Sequence, residues 1–329
     1  MAVVLFTCAG QRVDMVNAFR RAGAVTVAGD ADELAPALYA ADRREVIPRV
    51  DDPGYIDALR ALIERHAVDL IVPVADLDHR VLSANRDGLG ALVLLAGPEA
   101  ITLCEDKYAA HVFFEANGIP SPPTWTAESP PADVPFPVLV KARRGFGSRN
   151  IFRAEDATEL ALFLERTPVE SMIQQLCVGE EFSIDVFCDL ESRCLNAIPR
   201  TMIQSKGGES IKGMTIADPA LIEHGRLVAE TMGIVGPATI QCFREPDGSL
   251  PVTDVNPRFG GGFPLPTAAG SCYPELALAL ARGERPEPRL GSFEAGIVMT
   301  RFFSQVVLRR GPDGLDVVND PSSPLPKAP

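Results

Sequence analysis

Between Val3 and Leu95 short apolar runs alternate with helical patterns, and this leaves the chain few folds to choose from. The runs are Val3–Phe6, Ala24–Ala28, Glu45–Pro48, Asp69–Val74 and Leu92–Leu95, each too short to be a helix. Between them Val13, Val16 and Phe19, and then Tyr55, Ile56, Leu59, Leu62 and Ile63, recur at helical spacing, with Asp52 placed as an N-cap. A further helix is expected from Leu77 to Arg86. Strands that are apolar throughout are covered on both faces, so the pattern predicts a parallel sheet flanked by helices. Such sheets bind ligands beyond the carboxyl ends of their strands, here Thr7 to Gln11, Asp30 and Ala75-Asp76. For Asp30 and Asp76 a substrate role and a capping or solvated role both stay open. No G-x-G-x-x-G follows the first strand, so a dinucleotide fingerprint is missing.

Pro98 to Asn117 reads as one helix stopped by Gly118-Ile-Pro120, with Lys107 inside it, where a lone lysine is ordinarily solvated. The Pro-rich segment from Ser121 to Pro137 holds one short strand, Thr124-Trp-Thr126, and marks the expected domain boundary. An apolar strand then ends in Lys141 and runs into Ala142-Arg-Arg-Gly-Phe-Gly-Ser-Arg-Asn150. Strand, basic glycine loop, strand is a hairpin able to fold over phosphates: Gly145 and Gly147 let backbone N–H groups approach, and Arg144, Ser148 and Arg149 add donors. A plain surface hairpin is the alternative. Lys141 ends a buried strand and needs an anionic partner. In the strand Gly179 to Phe187, Glu181, Ser183 and Asp185 alternate with Phe182, Ile184 and Val186, giving one polar and one core face. A strand from Cys194 to Gln204, a flexible loop from Ser205 to Gly213, a helix from Ile216 to Gly233 and a last strand from Phe302 to Leu308 are also expected.

Two strands meet around Asp247-Gly248, a strong two-residue hairpin signal. If those two residues are the loop, Gln241 lies opposite Asp254 and Thr239 opposite Asn256. Gln241, Asp254 and Asn256 then share one face, with Arg258 just beyond. Three converging oxygen donors suit a hard cation such as Mg2+ that also holds phosphate. A solvated hairpin face is the simpler reading, but Asn256-Pro-Arg-Phe-Gly-Gly-Gly262 is an odd exit for an ordinary hairpin.

The net charge of −13 over 329 residues argues against nucleic acid as the main partner. Seven cysteines without C-x-x-C spacing point to reduced thiols and a cytoplasmic protein, and Cys8 reads as a small buried side chain more readily than as a reactive one. No apolar run approaches the length of a bilayer span, and the N-terminus lacks a signal-peptide pattern. The four histidines form no catalytic set with Ser or Cys and read as structural or solvated.

Lys141 with Gly145-Phe-Gly-Ser148, Gln174-Gln175 through Gly179-Glu-Glu-Phe-Ser-Ile-Asp185, and Asp254-Val-Asn-Pro-Arg-Phe-Gly-Gly261 occur in an order and at separations that resemble the ATP-grasp superfamily. The likeness is to its short single-chain members akin to the carbamoyl phosphate synthase large subunit, and it covers roughly residues 1–285. It implies an α/β chain: an N-terminal parallel pre-ATP-grasp domain over 1–97, then a two-part α+β ATP-grasp domain over 98–285. The latter would have a mobile lid at about 122–175 and a larger half at about 176–285, followed by a C-terminal extension over 286–329. By motif position, the resemblance implies that Lys107 and Lys141 hold ATP phosphates under a lid of Arg144 to Arg149, with Gly145, Gly147 and Ser148 in it. Gln174, Gln175, Leu176 and Cys177 would form the adenine hinge, and Glu181 would bind the ribose. Gln241, Asp254 and Asn256 would hold Mg2+, with Mn2+ as a substitute, and Arg258 would meet the transferred phosphate. Arg200 and Lys206 are the candidates for gripping a substrate carboxylate. Asp254 stands where the family usually has Glu, and Gln175 where many members have Glu. The chemistry implied is activation of a small-molecule carboxylate as an acyl phosphate for attack by an amine, as a homodimer or beside a partner subunit. A carbamoyl-phosphate-synthase-like subunit and a nucleotide-binding module without turnover are the other two readings.

Overall fold

The computed structural model describes residues 1–145, 150–206, 209–312 and 314–318, without the side chains of 205, 206 and 209. The chain divides into two compact units. One holds residues 1–95, 272–287 and the described residues from 300 onward; the other holds 96–271 and 288–299.

In the first unit β1 (Val3–Thr7), α1 (Val13–Arg21), β2 (Val25–Asp30), β3 (Arg43–Val46), α2 (Tyr55–His66), β4 (Leu70–Pro73), α3 (His79–Asn85) and β5 (Leu92–Val93) follow in order. The sheet order is β3-β2-β1-β4-β5, all parallel. The runs are apolar because the central strands are enclosed: Val4, Leu5, Phe6, Leu70, Ile71 and Val72 have no exposed surface. Phe6 meets Phe19 of α1 edge-on at 5.3 Å, the contact an amphipathic helix makes when its apolar stripe closes a sheet.

At the carboxyl ends of these strands the carboxylates do structural work. Asp30 accepts the N–H of Gly10 at 2.8 Å and of Asp32 at 2.9 Å, so it closes loops. Asp78 is wholly buried; it accepts Tyr55 Oη–H at 2.9 Å, and its Oδ1 has no hydrogen-bond partner among the described residues. Burial pushes its carboxyl from 3.8 up to about 6. The sign follows: below 3.8 both folded and unfolded chains are protonated, and between 3.8 and about 6 only the unfolded chain ionises, so stability falls as pH rises through that window. The full cost above it is about 3 kcal/mol. Asp78→Asn keeps an acceptor for Tyr55 and removes the ionisation. Its melting temperature is expected to gain on wild type steadily from pH 4 to pH 6; parallel melting curves across that range would remove Asp78 as the cause. Burial and the charge of Asp78 push the Cys8 thiol up as well, which makes it unreactive.

The second unit begins with α4 (Pro98–Glu105) and α5 (Lys107–Ala116), not the single helix expected. Asp106 breaks the run with an extended backbone (φ −109°, ψ 96°), and its side chain caps α5 by accepting Ala109 N–H. β6 (Thr124–Thr126), β7 (Val138–Ala142), β8 (Ile151–Ala154), α6 (Ala157–Arg166) and β9 (Ser171–Gln175) make a four-stranded antiparallel sheet, order β6-β9-β7-β8, with a core of Val138, Val140, Leu160 and Ile173.

A larger antiparallel sheet follows: β10 (Glu180–Cys188), β11 (Cys194–Lys206), β12 (Glu209–Thr215), α7 (Pro219–Thr231), β13 (Gly236–Arg244), β14 (Val252–Asn256) and the short α8 (Pro264–Ala268). The strand β12 replaces much of the flexible loop expected from Ser205 to Gly213. The alternation along β10 is used as expected: Phe182, Ile184 and Val186 pack in one core with Leu221 and Val228 of α7. The polar residues take the other face. The chain ends with α9 (Tyr273–Ala281), β15 (Val298–Thr300) beside β12, and the hairpin β16 (Leu308–Gly311) and β17 (Gly314–Val317). The single strand expected over Phe302–Leu308 does not form; regular pairing starts only at Leu308. All seven cysteines are thiols rather than disulfides, and among the described residues no helix is long and apolar enough to cross a membrane.

Candidate nucleotide and metal site

The β13–β14 register agrees with expectation, but by a different route. Glu245 N–H donates to Ser249 O at 3.0 Å and Gly248 N–H to Glu245 O at 2.8 Å. The loop is therefore Pro246-Asp247-Gly248, with Gly248 at φ +84°, the usual three-residue solution of a turn followed by a left-handed residue. That loop alone would offset the strands by one. A bulge at Thr253, between the pairs Gln241–Asp254 and Cys242–Val252, restores the offset. Gln241 ends opposite Asp254 and Thr239 opposite Asn256.

The same register runs on across the sheet. Ser183 lies opposite both Gln241 and Arg200, so Asp254, Gln241, Ser183 and Arg200 form one row over four strands. Asn256, Thr239 and Asp185 form the next row on the same face. These rows, apart from Asp185, floor a cavity of about 460 Å³. Of the residues singled out in the sequence, Lys107, Lys141, Gly145, Gln174, Gln175, Leu176 and Cys177 line it from the smaller sheet and α5. Glu181, Arg200, Gln241, Asp254, Asn256 and Arg258 line it from the larger sheet. Arg144 is not on its wall. Gly147, Ser148 and Arg149 lie outside the described residues, as does the side chain of Lys206, whose backbone is the last residue of β11.

Lys107 is not a solvated mid-helix lysine. The break at Asp106 makes it the first residue of α5, where Nζ donates to Gly145 O at 2.9 Å and lies 3.4 Å from Asp254 Oδ1. Four residues fix that position. Arg143 reaches Asp106 and Glu170 at 2.7 Å each, and Arg144 reaches Asp106 at 2.5 Å and Glu170 at 2.7 Å. Lys107 N–H also donates to Arg143 O. Asp106 and Glu170 carry no motif, and only their neighbours in space give them a role.

Lys141 is 7% exposed, and its Nζ donates to the carbonyl of the bulged Thr253 at 3.4 Å. Burial pulls its pKa from 10.5 down to about 8, against the opposing carboxylate of Asp254 and with the help of the Lys107 charge. Burial likewise raises the Glu181 carboxyl, with Arg200 opposing; Gln241 Nε2–H donates to Glu181 at 3.4 Å. Asn256 Nδ2–H donates to Asp254 at 3.3 Å and Arg258 Nη2–H to Asn256 Oδ1 at 3.4 Å. Gln241, Asp254 and Asn256 thus offer oxygen donors and one carboxylate, a set that fits Mg2+ better than a soft metal. Among the described residues no cluster of three His, Cys, Asp or Glu competes as a metal site. In the hinge segment the Gln174 side chain is structural, donating to Thr124 Oγ1 at 2.9 Å. Burial pushes the Cys177 thiol up to about 12, with Glu245 adding to it, so that thiol is inert.

The odd exit from the hairpin has a spatial reason. A Cβ on Gly260 would lie 2.3 Å from Thr239 Oγ1, and one on Gly262 would lie 2.4 Å from Arg200 Cζ. The backbone passes directly over Thr239 and Arg200, where only glycine fits. Arg200, 2% exposed, pairs with Asp185 at 2.7 Å, and Asp185 in turn accepts Thr239 Oγ1–H at 2.7 Å. Gly262→Ala is expected to displace the guanidinium and lower the melting temperature by several degrees, on the order of 2 kcal/mol. A wild-type melt would show that the loop relaxes freely. Ser183, Asp185 and Thr239 share this face through register, hinted at by the polar alternation of β10 and by the pairing of Thr239 with Asn256; Ser210, which no pattern hinted at, joins through Arg200.

Comparison with known proteins bears on the fold. Residues 4–92 match the family described as PylC-like, N-terminal domain, and residues 167–302 match the family described as ATP-grasp in the biosynthetic pathway with Ter operon. Over those residues the chain carries a PylC-like N-terminal domain and an ATP-grasp domain. Its curated homologues include the carbamoyl phosphate synthase large chain of Gemmatimonas aurantiaca, 26% identical over 69% of this chain and 23% of that one. The chain therefore spans about a quarter of such a relative. Among solved structures, the L-amino acid ligase of Bacillus licheniformis superposes with a TM-score of 0.69 at 18% identity, over 85% of this chain and 74% of that one. The N5-carboxyaminoimidazole ribonucleotide synthetase of Thermotoga maritima gives 0.67 at 18%, over 88% and 77%. These two likenesses speak to the fold.

Proposed function

We propose that the cavity binds ATP and that the chain is an ADP-forming ligase, which activates a carboxylate as an acyl phosphate and passes the acyl group to an amine. The observation that carries this is the convergence of Lys107 and Lys141 with Gln241, Asp254 and Asn256 in one cavity. Lys141 is buried with its charge poorly compensated, as a site awaiting an anion should be. In this reading Lys107 and Lys141 hold the phosphates, the segment Gln174 to Cys177 meets the adenine, and Glu181 takes the ribose hydroxyls. We read the four-stranded sheet as the lid, and the larger sheet as the floor. Gln241, Asp254 and Asn256 would hold Mg2+, which when bound neutralises charge on the phosphates. With one carboxylate in the set, the protein by itself holds the cation weakly and leaves much of the coordination to ATP.

The side chains then do positioning and charge work. Arg258, anchored on Asn256, faces the phosphoryl group in transfer, and Arg200 reaches the acid substrate. Little covalent work falls to the protein, and stabilisation of charge spread over the phosphoryl oxygens dominates. The seven thiols support a cytoplasmic setting. The test is ADP release from Mg-ATP with a panel of small acids, using hydroxylamine as the amine so that any acyl phosphate is trapped as a hydroxamate. Hydroxamate and ADP in equal amounts are expected. Measurable ATP binding with no ADP above background for any acid would leave a nucleotide-binding module. Because the homologues include carbamoyl phosphate synthase chains, bicarbonate with ammonia belongs in the panel, and carbamoyl phosphate as sole product would favour that narrower reaction.

A further inference from the structure

The three side chains suited to the cation are turned to partners within the protein. Lys107 Nζ lies 3.4 Å from Asp254 Oδ1, and Asn256 Nδ2–H donates to Asp254 Oδ2 at 3.3 Å. Asn256 Oδ1 accepts Arg258 Nη2–H at 3.4 Å, and Gln241 Nε2–H donates to Glu181 at 3.4 Å. Lys141 is near enough for the charges of both Asp254 and Lys107 to act on it. The Asp254 carboxylate thus already has an ammonium group against one oxygen and an amide against the other. A divalent cation arriving alone meets the like charge of that ammonium within a few ångströms, where Coulomb energies are large. A polyphosphate meets an attraction instead.

Lys107 is anchored by its backbone more firmly than by its ammonium. It opens α5, its N–H donates to Arg143 O, and Asp106 before it is tied to Arg143 and Arg144. Nζ is held by one neutral acceptor, Gly145 O at 2.9 Å, and by the looser pair with Asp254. The side chain is 15% exposed and lines the cavity, so its charge is open to a ligand there. A lysine carries a compact charge on a flexible four-carbon stem. The ammonium is therefore able to swing from Asp254 to a phosphate while the helix start stays in place.

We propose that Lys107 is the resident cation of Asp254: its ammonium balances that carboxylate until nucleotide phosphates draw it away, and only then is Asp254 open to a divalent cation. Nucleotide and cation then favour each other's binding, and by linkage the coupling is the same in both directions. The inference rests on the ligase reading, which gives Lys107 to the phosphates and Asp254 to Mg2+. It goes beyond a site that is weak for want of a second carboxylate. Such a site stays weak when Lys107 loses its charge, whereas a site held by Lys107 opens.

The test follows Mn2+ binding to the full chain by loss of the free-ion signal in electron paramagnetic resonance, with and without ADP. Lys107→Met keeps the apolar stem and removes the charge. Without ADP it is expected to bind Mn2+ about tenfold or more tightly than wild type, and adding Asp254→Ala should cancel the gain, which separates this site from other acidic groups. The same variant should bind ADP about tenfold less tightly; a merely damaged site would lose affinity for both. Lys107→Gln should behave like Lys107→Met, and Lys107→Arg, which keeps the charge, should stay as closed to Mn2+ as wild type. Wild type that binds Mn2+ as tightly without ADP as with it overturns the inference, whatever the variants do. Neutral variants that bind Mn2+ no better than wild type, or a gain that survives Asp254→Ala, overturn it while the ligase reading stands, as long as wild type binds Mn2+ together with ADP. Wild type that binds no ADP, with Mn2+ or without it, overturns both.

Discussion

Asp254→Ala should abolish ADP formation, lowering kcat by about a thousandfold or more while the protein stays folded. Asp254 supplies the one carboxylate among the three oxygen-bearing side chains on its face, and it also sits 3.4 Å from Lys107. Its removal takes away the negative charge that a divalent cation needs, and it leaves the Lys107 ammonium without its carboxylate. The fold should tolerate the change, because Asp254 is partly exposed and the β13–β14 pairing is made by backbone groups. Asp254→Asn separates charge from shape and should be nearly as damaging. Asp254→Glu lengthens the carboxylate by one methylene and should retain much of the activity, since the cation is shared with mobile phosphates. Steady-state ADP release and a thermal melt on the three variants decide the matter. Wild-type turnover in Asp254→Ala would remove this residue from the metal site.

Lys141→Ala should weaken nucleotide binding by about a hundredfold, the worth of a charge-assisted contact to phosphate in a buried site. The more telling signature is its pH dependence. In the ligand-free protein this lysine has its pKa held near 8 by burial, and phosphate brought against it favours the charged form. Nucleotide binding should therefore take up a proton around pH 8 to 9 and weaken as pH rises through that range. Near pH 6.5 the lysine is already charged, and uptake should vanish. Calorimetry of ADP binding in two buffers of different ionisation enthalpy measures the uptake, which Lys141→Ala should erase. Binding with no proton uptake at pH 8.5 would take Lys141 out of the phosphate contact. The same depressed pKa costs the ligand-free protein stability below about 8, and that cost is relieved as pH rises from 8 toward 10.5, where the unfolded chain alone still holds the proton.

Much of this site is legible in the residues themselves because the motifs state local rules. A strand ending in lysine, a hairpin with alternating oxygen donors and an apolar–polar alternation along β10 each fix which way side chains point, and direction survives small errors in the turn. The hairpin shows how far that goes. Its loop has three residues rather than two, yet the bulge at Thr253 returns Gln241 to Asp254, since only that register keeps the apolar side chains of both strands in the core. Helix boundaries were less readable. A helical pattern over 98–117 hides the break at Asp106, whose side chain caps α5 locally at Ala109 but finds Arg143 and Arg144 only once the smaller sheet has formed.

By itself, then, the sequence determined the parallel α/β start, the two-faced strands of the larger sheet and the identities of the lysines and oxygen donors, because periodicity and turn chemistry act over a few residues. The tertiary structure alone decided that Lys107 faces Asp254, that Arg144 is tied to Asp106 and Glu170, and that Arg200 lies buried under Gly262. Those outcomes depend on which strands become neighbours and how closely the backbone passes over them. They are set by burial and charge pairing between segments far apart in the chain, which no local pattern encodes.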